Sequence, residues 1–144
     1  MKRRNNFLEV KLPAISRNES TARAICSAFM ISLDPTVSEL ADLKCAVSEA
    51  VTNCIVHAYG DTPGFVFMKL ESNDLREVKI EIRDKGRGIA DIEEAMEPLF
   101  TTNTDGERSG MGFTVMQTFC DNVRVRSTPE RGTKVVLYKK LSGT

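Results

Sequence analysis

Phe65-Val66-Phe67-Met68-Lys69-Leu70 and Val78-Lys79-Ile80-Glu81-Ile82 flank the turn-forming Ser72-Asn73-Asp74. Both runs are rich in β-formers, so together they predict an antiparallel hairpin. Upstream, Asn6 to Leu12 alternates like a short strand that Pro13 stops, and an edge position suits it. Ser16-Arg17-Asn18-Glu19 then fits a capping box, and Ala22, Ile25, Cys26, Phe29 and Leu33 recur at helical spacing as far as Asp34-Pro35. Thr36-Val37-Ser38-Glu39 offers a second box. Leu40, Leu43, Val47, Ala50, Val51, Cys54 and Ala58 mark a longer helix running to Tyr59-Gly60. Downstream of the hairpin come the loop Arg83 to Gly88, a short helix over Ile92 to Met96 ended by Pro98, and a polar stretch from Thr101 to Ser109. Gly110-Met111-Gly112 opens another short helix carrying Phe113, Val115, Met116 and Phe119. Val123 to Ser127 and Thr133 to Tyr138 form a last hairpin across Pro129 to Gly132. Helices laid on one face of a mixed, mainly antiparallel sheet follow from that order: a two-layer α+β sandwich.

With 144 residues, 41% of them apolar, the chain (1–144) reads as one domain with one core. Twenty Lys and Arg balance twenty Asp and Glu, so no net positive field favours nucleic acid or a membrane surface. The basic start Met1-Lys2-Arg3-Arg4 leads into no apolar stretch of signal or spanning length, which points to the cytoplasm. Cys26, Cys45, Cys54 and Cys120 lack C-x-x-C spacing and read as small buried hydrophobes. His57, the single histidine, has no ligand-spaced companions, so zinc is disfavoured and a packed or capping role near the helix end fits it. Phe7, Phe29, Phe65, Phe67, Phe113 and Phe119 are expected in the core, with Phe100 at the hinge of the polar stretch.

Three constellations carry chemistry. Glu49 and Asn53 lie one turn apart on the second helix, about 6 Å along its axis. They fit a general base beside a neutral oxygen ligand for a hard cation such as Mg²⁺, and equally the wet face of a helix. Asp84-x-Gly86-x-Gly88, directly after a strand, offers a carboxylate that can accept from an exocyclic amine, followed by two positions of close backbone approach. An adenine ring suits it, and so does a Gly-rich surface turn. Gly110-x-Gly112 opens a helix whose free amides attract phosphate oxygens. The preceding Thr101 to Ser109, with its hydroxyls and Arg108, can close over a polyphosphate as a lid. The spacing matches neither a Walker loop nor G-x-G-x-x-G, and H-R-D and D-F-G are absent from the sequence.

Glu49…Asn53, Asp84-x-Gly86-x-Gly88, Gly110-x-Gly112 and Gly132-Thr133 resemble, in order and spacing, the N, G1, G2 and G3 boxes of the GHKL ATPase/kinase superfamily. Within it the chain most resembles the anti-sigma-F serine kinases of spore-forming bacteria. The strings that carry this are Val47-Ser48-Glu49-Ala50-Val51-Thr52-Asn53, Asp91-Ile92-Glu93-Glu94-Ala95, Pro98-Leu99-Phe100-Thr101-Thr102 and Glu107-Arg108-Ser109-Gly110-Met111-Gly112-Phe113-Thr114-Val115-Met116. The resemblance implies a Bergerat-type fold holding Mg·ATP or ADP, serine phosphorylation of a small anti-anti-sigma protein, binding of a sporulation sigma factor, and a homodimer. It makes Glu49 the base, Asn53 the Mg²⁺ ligand, Asp84 the adenine reader with Gly86 and Gly88 around the base, and Thr133 its companion. Arg108, Ser109, Gly110 and Gly112 become the phosphate lid, and Arg23 a partner contact on the first helix. The family's usual His-Gly is His57-Ala58-Tyr59-Gly60 here, and the loop before Phe65 is short. An alternative is a nucleotide-dependent module that sequesters the sigma factor without obligatory turnover. A detached histidine-kinase catalytic domain would need a second histidine, and gyrase-like or chaperone-like ATPases need transducer domains for which the length leaves no room.

Overall fold

The computed structural model describes residues 5–59, 62–87 and 112–142. Five strands, β1 (Asn5–Pro13), β2 (Phe65–Asn73), β3 (Glu77–Arg83), β4 (Asn122–Thr128) and β5 (Gly132–Lys140), form one sheet in the order β1-β2-β3-β5-β4. Every neighbouring pair among the described residues is antiparallel, in keeping with the mainly antiparallel sheet expected. β1 lies at the edge, where Pro13, which has no N–H to give, ends the ladder opposite Phe65. The predicted helix over Ile92 to Met96 and the polar stretch with Phe100 lie outside the described residues.

Three helices, α1 (Arg17–Ile31), α2 (Val37–Thr52) and α3 (Gly112–Phe119), cover one sheet face, with α2 between the other two. β2 and β3 alternate between buried and half-exposed residues, as a sheet packed on one side only must. Val66, Met68 and Leu70 of β2, Ile80 and Ile82 of β3 and Leu137 of β5 meet Met30, Leu43, Val47, Val51 and Met116 in one core. On the other face Phe7 and Phe65 are exposed and Phe67 is half-buried, contrary to the expectation of core aromatics. They share the outward register of Lys11 and Lys69 and stack under cations instead, with Lys11 Nζ 4.2 Å from the Phe65 ring centre. Phe29 and Phe113 are buried as expected, and Phe119 is half-buried.

Of the two expected capping boxes, one forms. Thr36 Oγ1 accepts from Glu39 N–H, Glu39 Oε1 accepts from Thr36 N–H at 2.9 Å, and Glu39 Oε2 accepts from Ser142 N–H at 2.7 Å. Ser16 instead adopts helical dihedrals and makes no side-chain cap. Glu19 is drawn elsewhere: its carboxylate pairs with Arg23 at 2.9 Å and accepts from the Ser48 hydroxyl of α2. Cys26, Cys54 and Cys120 are buried as expected, but Cys45 is exposed on the outer side of α2. Arg76, at φ 63°, donates to the carbonyls of Leu33 (2.6 Å) and Asp34 (3.1 Å), tying the β2–β3 turn to the α1–α2 connection. No helix among the described residues is long and apolar enough to cross a membrane.

Candidate functional site

The long helix expected to reach Tyr59 changes register. The α-helical pattern stops at Thr52 and a π-helical segment, Asn53–Tyr59, continues it. At the change the Thr52 hydroxyl donates to Ser48 C=O at 2.7 Å, and Asn53 N–H is shared between the carbonyls of Ala50 and Glu49. A side-chain hydroxyl competing for an intrahelical carbonyl bends helices, and π segments recur at functional sites. Here the wider turn begins at Asn53 and turns Cys54, Ala58 and Tyr59 toward the loop that follows β3.

That loop begins with Asp84, which is 5% exposed. Its N–H donates to Thr133 C=O at 2.9 Å, and its Oδ1 accepts from Thr133 N–H at 3.1 Å and Gly86 N–H at 2.9 Å. Both acceptor positions of Oδ1 are therefore filled by main chain, so a ligand's amine must be met by Oδ2. Burial raises the Asp84 carboxyl above its ordinary range, opposed by the bonds from Gly86, the Cys54 thiol and Thr133. Burial likewise pushes the Cys54 thiol well up, and the neighbouring Asp84 charge adds to it. Cys54 is thus a neutral S–H donor to a buried carboxylate.

The backbone around Asp84 is closely packed on three sides. Gly132, at φ +120°, starts β5 against it, and a Cβ there would sit 2.2 Å from Asp84 C=O, so only glycine permits that approach. A Cβ on Gly86 would lie 2.4 Å from the Ala58 carbonyl oxygen, which also accepts from Arg87 N–H at 3.1 Å. Glu130 N–H, in the β4–β5 turn, donates to Arg87 C=O at 2.7 Å. Thr133 is buried, and its hydroxyl exchanges a hydrogen bond with Ser127 at 2.8 Å. The tyrosine that ends the π segment reaches the same loop, its hydroxyl accepting from Lys85 N–H at 2.7 Å.

Asp84, Gly86 and Thr133 are thus brought together, while Asn53 lies half-buried at the start of the π segment, next to Cys54. Glu49 lies half-buried one turn before Asn53 on α2. Gly112 is the first residue of α3, whereas Gly88, Arg108, Ser109 and Gly110 lie outside the described residues. Arg23 stands apart on α1, 42% exposed and held by Glu19. Cys54 and Tyr59 were missed as site residues. The thiol reads locally as one more apolar helix position, and only Tyr59's place in the altered His57-Ala58-Tyr59-Gly60 string hinted at a role. An amide at Asn53 suits Mg²⁺, a hard cation that takes few protein ligands when phosphates and water supply the rest.

Residues 12–139 match the histidine kinase-like ATPase domain model. The anti-sigma F factor of Caldanaerobacter subterraneus subsp. tengcongensis is 53% identical over 135 residues, 94% of each chain. That of Clostridium acetobutylicum is 50% identical over 137 residues, 95% of each chain. That of Bacillus licheniformis is 48% identical over 138 residues, 95% of this chain and 94% of the relative. Among solved structures, the RsbU and RsbW domains of Rv1364c from Mycobacterium tuberculosis match with a TM-score of 0.72 at 19% identity, over 96% of this chain and 33% of that one. The blue-light activated histidine kinase of Erythrobacter litoralis EL346 matches with a TM-score of 0.59 at 24% identity, over 76% and 32%. Those structural likenesses show the fold, and the sequence matches show the lineage: the chain belongs to the histidine kinase-like ATPase domain family and, within it, to the anti-sigma F factors.

Proposed function

We propose that this chain is a cytoplasmic, ATP-dependent protein serine kinase and anti-sigma factor, which binds a sporulation sigma factor and phosphorylates a small anti-anti-sigma protein on serine. The observation that carries the nucleotide reading is Asp84: a buried carboxylate with Oδ1 saturated by main-chain amides, which leaves Oδ2 to accept from the adenine amine. Gly86 and Thr133 hold that carboxylate, and Gly88 is the second glycine of the motif assigned to the base. The half-buried Asn53 amide would hold Mg²⁺, which when bound screens the charge of the phosphates. The first amides of α3 at Gly112, with Gly110, Ser109 and Arg108 before them, hold phosphate oxygens. Glu49, one turn before Asn53, takes the proton of the substrate serine hydroxyl. The serine Oγ–P bond forms as the bond from the γ-phosphorus to the bridging oxygen breaks, and ADP leaves. Positioning and charge stabilisation dominate such transfers.

Arg23, half-exposed on α1, is offered to a protein partner. The outer sheet face, with exposed Phe7 and Phe65 under lysines, is offered to a second copy in a homodimer. The test supplies γ-labelled Mg·ATP to the purified protein with extract of its own cells and follows phosphoserine on a small protein, with Glu49→Ala in parallel. Loss of a base of this kind costs about 10²- to 10⁴-fold in transfer, with ATP binding retained. Transfer unchanged in the variant removes Glu49 from its role. Absence of label, despite ATP binding, favours the sequestering module.

A further inference from the structure

We propose that Tyr59 is a positioning residue for the nucleotide site, a phenol clamp that holds the Asp84–Lys85 peptide and so aims Asp84 Oδ2 at the base. Its hydroxyl donates to Phe65 C=O at 2.7 Å while accepting from Lys85 N–H at 2.7 Å. The Asp84–Lys85 peptide is fixed on its N–H side by Tyr59, just as Asp84 N–H is fixed by Thr133 C=O. Ala58, the preceding residue, accepts from Arg87 N–H and leaves no room for a Cβ on Gly86. Two consecutive residues of the π segment therefore grip both halves of the Asp84–Arg87 loop, while the same segment begins at Asn53. The phenol ring is seated on Gly64, where an added Cβ would fall 2.3 Å from Cε1, 2.4 Å from Cδ1 and 2.5 Å from Cζ. Glycine at position 64 is what allows the ring to lie where its hydroxyl spans both main-chain groups. The inference rests on reading the Asp84 loop as the adenine end of a nucleotide site.

Calorimetric titrations of Mg·ATP and of Mg·inosine triphosphate, which lacks the exocyclic amine, test it on wild type, Tyr59→Phe, Gly64→Ala and the double variant. Tyr59→Phe keeps the ring and removes both hydrogen bonds; about tenfold weaker ATP binding is expected, with inosine triphosphate affected less. Gly64→Ala, remote from the base, must push the ring aside and should reproduce the loss. The double variant should lose no more than either single one, because both remove the same clamp. Far-ultraviolet circular dichroism of each variant should match the wild type. Wild-type ATP affinity in Tyr59→Phe, equal losses for both nucleotides, or additive losses in the double variant would overturn the clamp while leaving the nucleotide reading standing. No ATP binding by the wild type would overturn both.

Discussion

Replacing Asp84 by Asn separates recognition from folding, because the two oxygens of the carboxylate do different work. Oδ1 accepts Gly86 N–H at 2.9 Å and Thr133 N–H at 3.1 Å, so in the variant the amide oxygen must take that place and the NH₂ group must take that of Oδ2. The two main-chain bonds survive. At the ligand, a donor now faces the donor amine of adenine, and a charge-assisted bond worth about 1.5–3 kcal/mol is lost. Affinity for Mg·ATP should fall roughly 10- to 150-fold. Stability should change little, because a neutral amide escapes the burial cost that disfavours the ionised carboxyl, which offsets the loss of the weak bond from the Cys54 thiol. Calorimetric titration with Mg·ATP, paired with urea unfolding of the unliganded protein at pH 7, reads both quantities. Wild-type affinity would refute the adenine role of Asp84. A lowered urea midpoint would refute the assignment of the amide oxygen to the Oδ1 position.

Three further outcomes are expected. Because the native Asp84 carboxyl is raised above the ordinary carboxylate range of about 3.9, the folded state takes up its proton first as pH falls. Asp84's contribution then favours folding while ATP affinity declines, and Asp84→Asn should flatten the affinity profile between neutral pH and that range; a parallel decline in both proteins contradicts the assignment. Arg76→Ala removes the guanidinium bonds to Leu33 and Asp34 and should cost about 1.5–3 kcal/mol, lowering Tm by on the order of 5 °C; an unshifted melt would show the tie to be idle. With iodoacetamide at pH 8, exposed Cys45 should be labelled first, since burial pushes Cys26 up to about 12 and Cys120 to about 11 and holds Cys54 higher than an ordinary thiol; peptide mapping that finds any of these three labelled as fast as Cys45 contradicts the packing.

Local signals carried the reading of the elements. The β-former runs Phe65 to Leu70 and Val78 to Ile82, the Thr36–Glu39 box and the glycine at position 132 are short-range patterns, and each turned up at its expected place. The Asp84 loop and Thr133 were legible as motifs, although nothing local says that Thr133 N–H would share Oδ1 with Gly86. Failures came where distant residues outcompete local ones. Glu19, three residues after Ser16, caps nothing because Arg23 and a serine on another helix engage it. Phe7 and Phe65 alternate as core residues do, yet face outward, where lysine side chains cover their rings. The π segment begins beside the bond from the Thr52 hydroxyl to the Ser48 carbonyl, and helical periodicity gives no sign of the change of register.

The strand order has a consequence for synthesis and folding. β5, the last strand in the chain, lies between β3 and β4, and it carries Thr133, whose amide completes the Asp84 carboxylate from 49 positions away. A nascent chain that has emerged only as far as β3 can pair its first hairpin and lay down α1 and α2, but its Asp84 loop has no Thr133 amide to lock against. On the proposed adenine role of Asp84, nucleotide binding would wait until the final hairpin has paired with β3, and such long-range closure is slow on the scale of small domains. Once it closes, any ligand of the loop stabilises every strand at once, so saturating nucleotide should slow unfolding of the whole sheet rather than of the site alone.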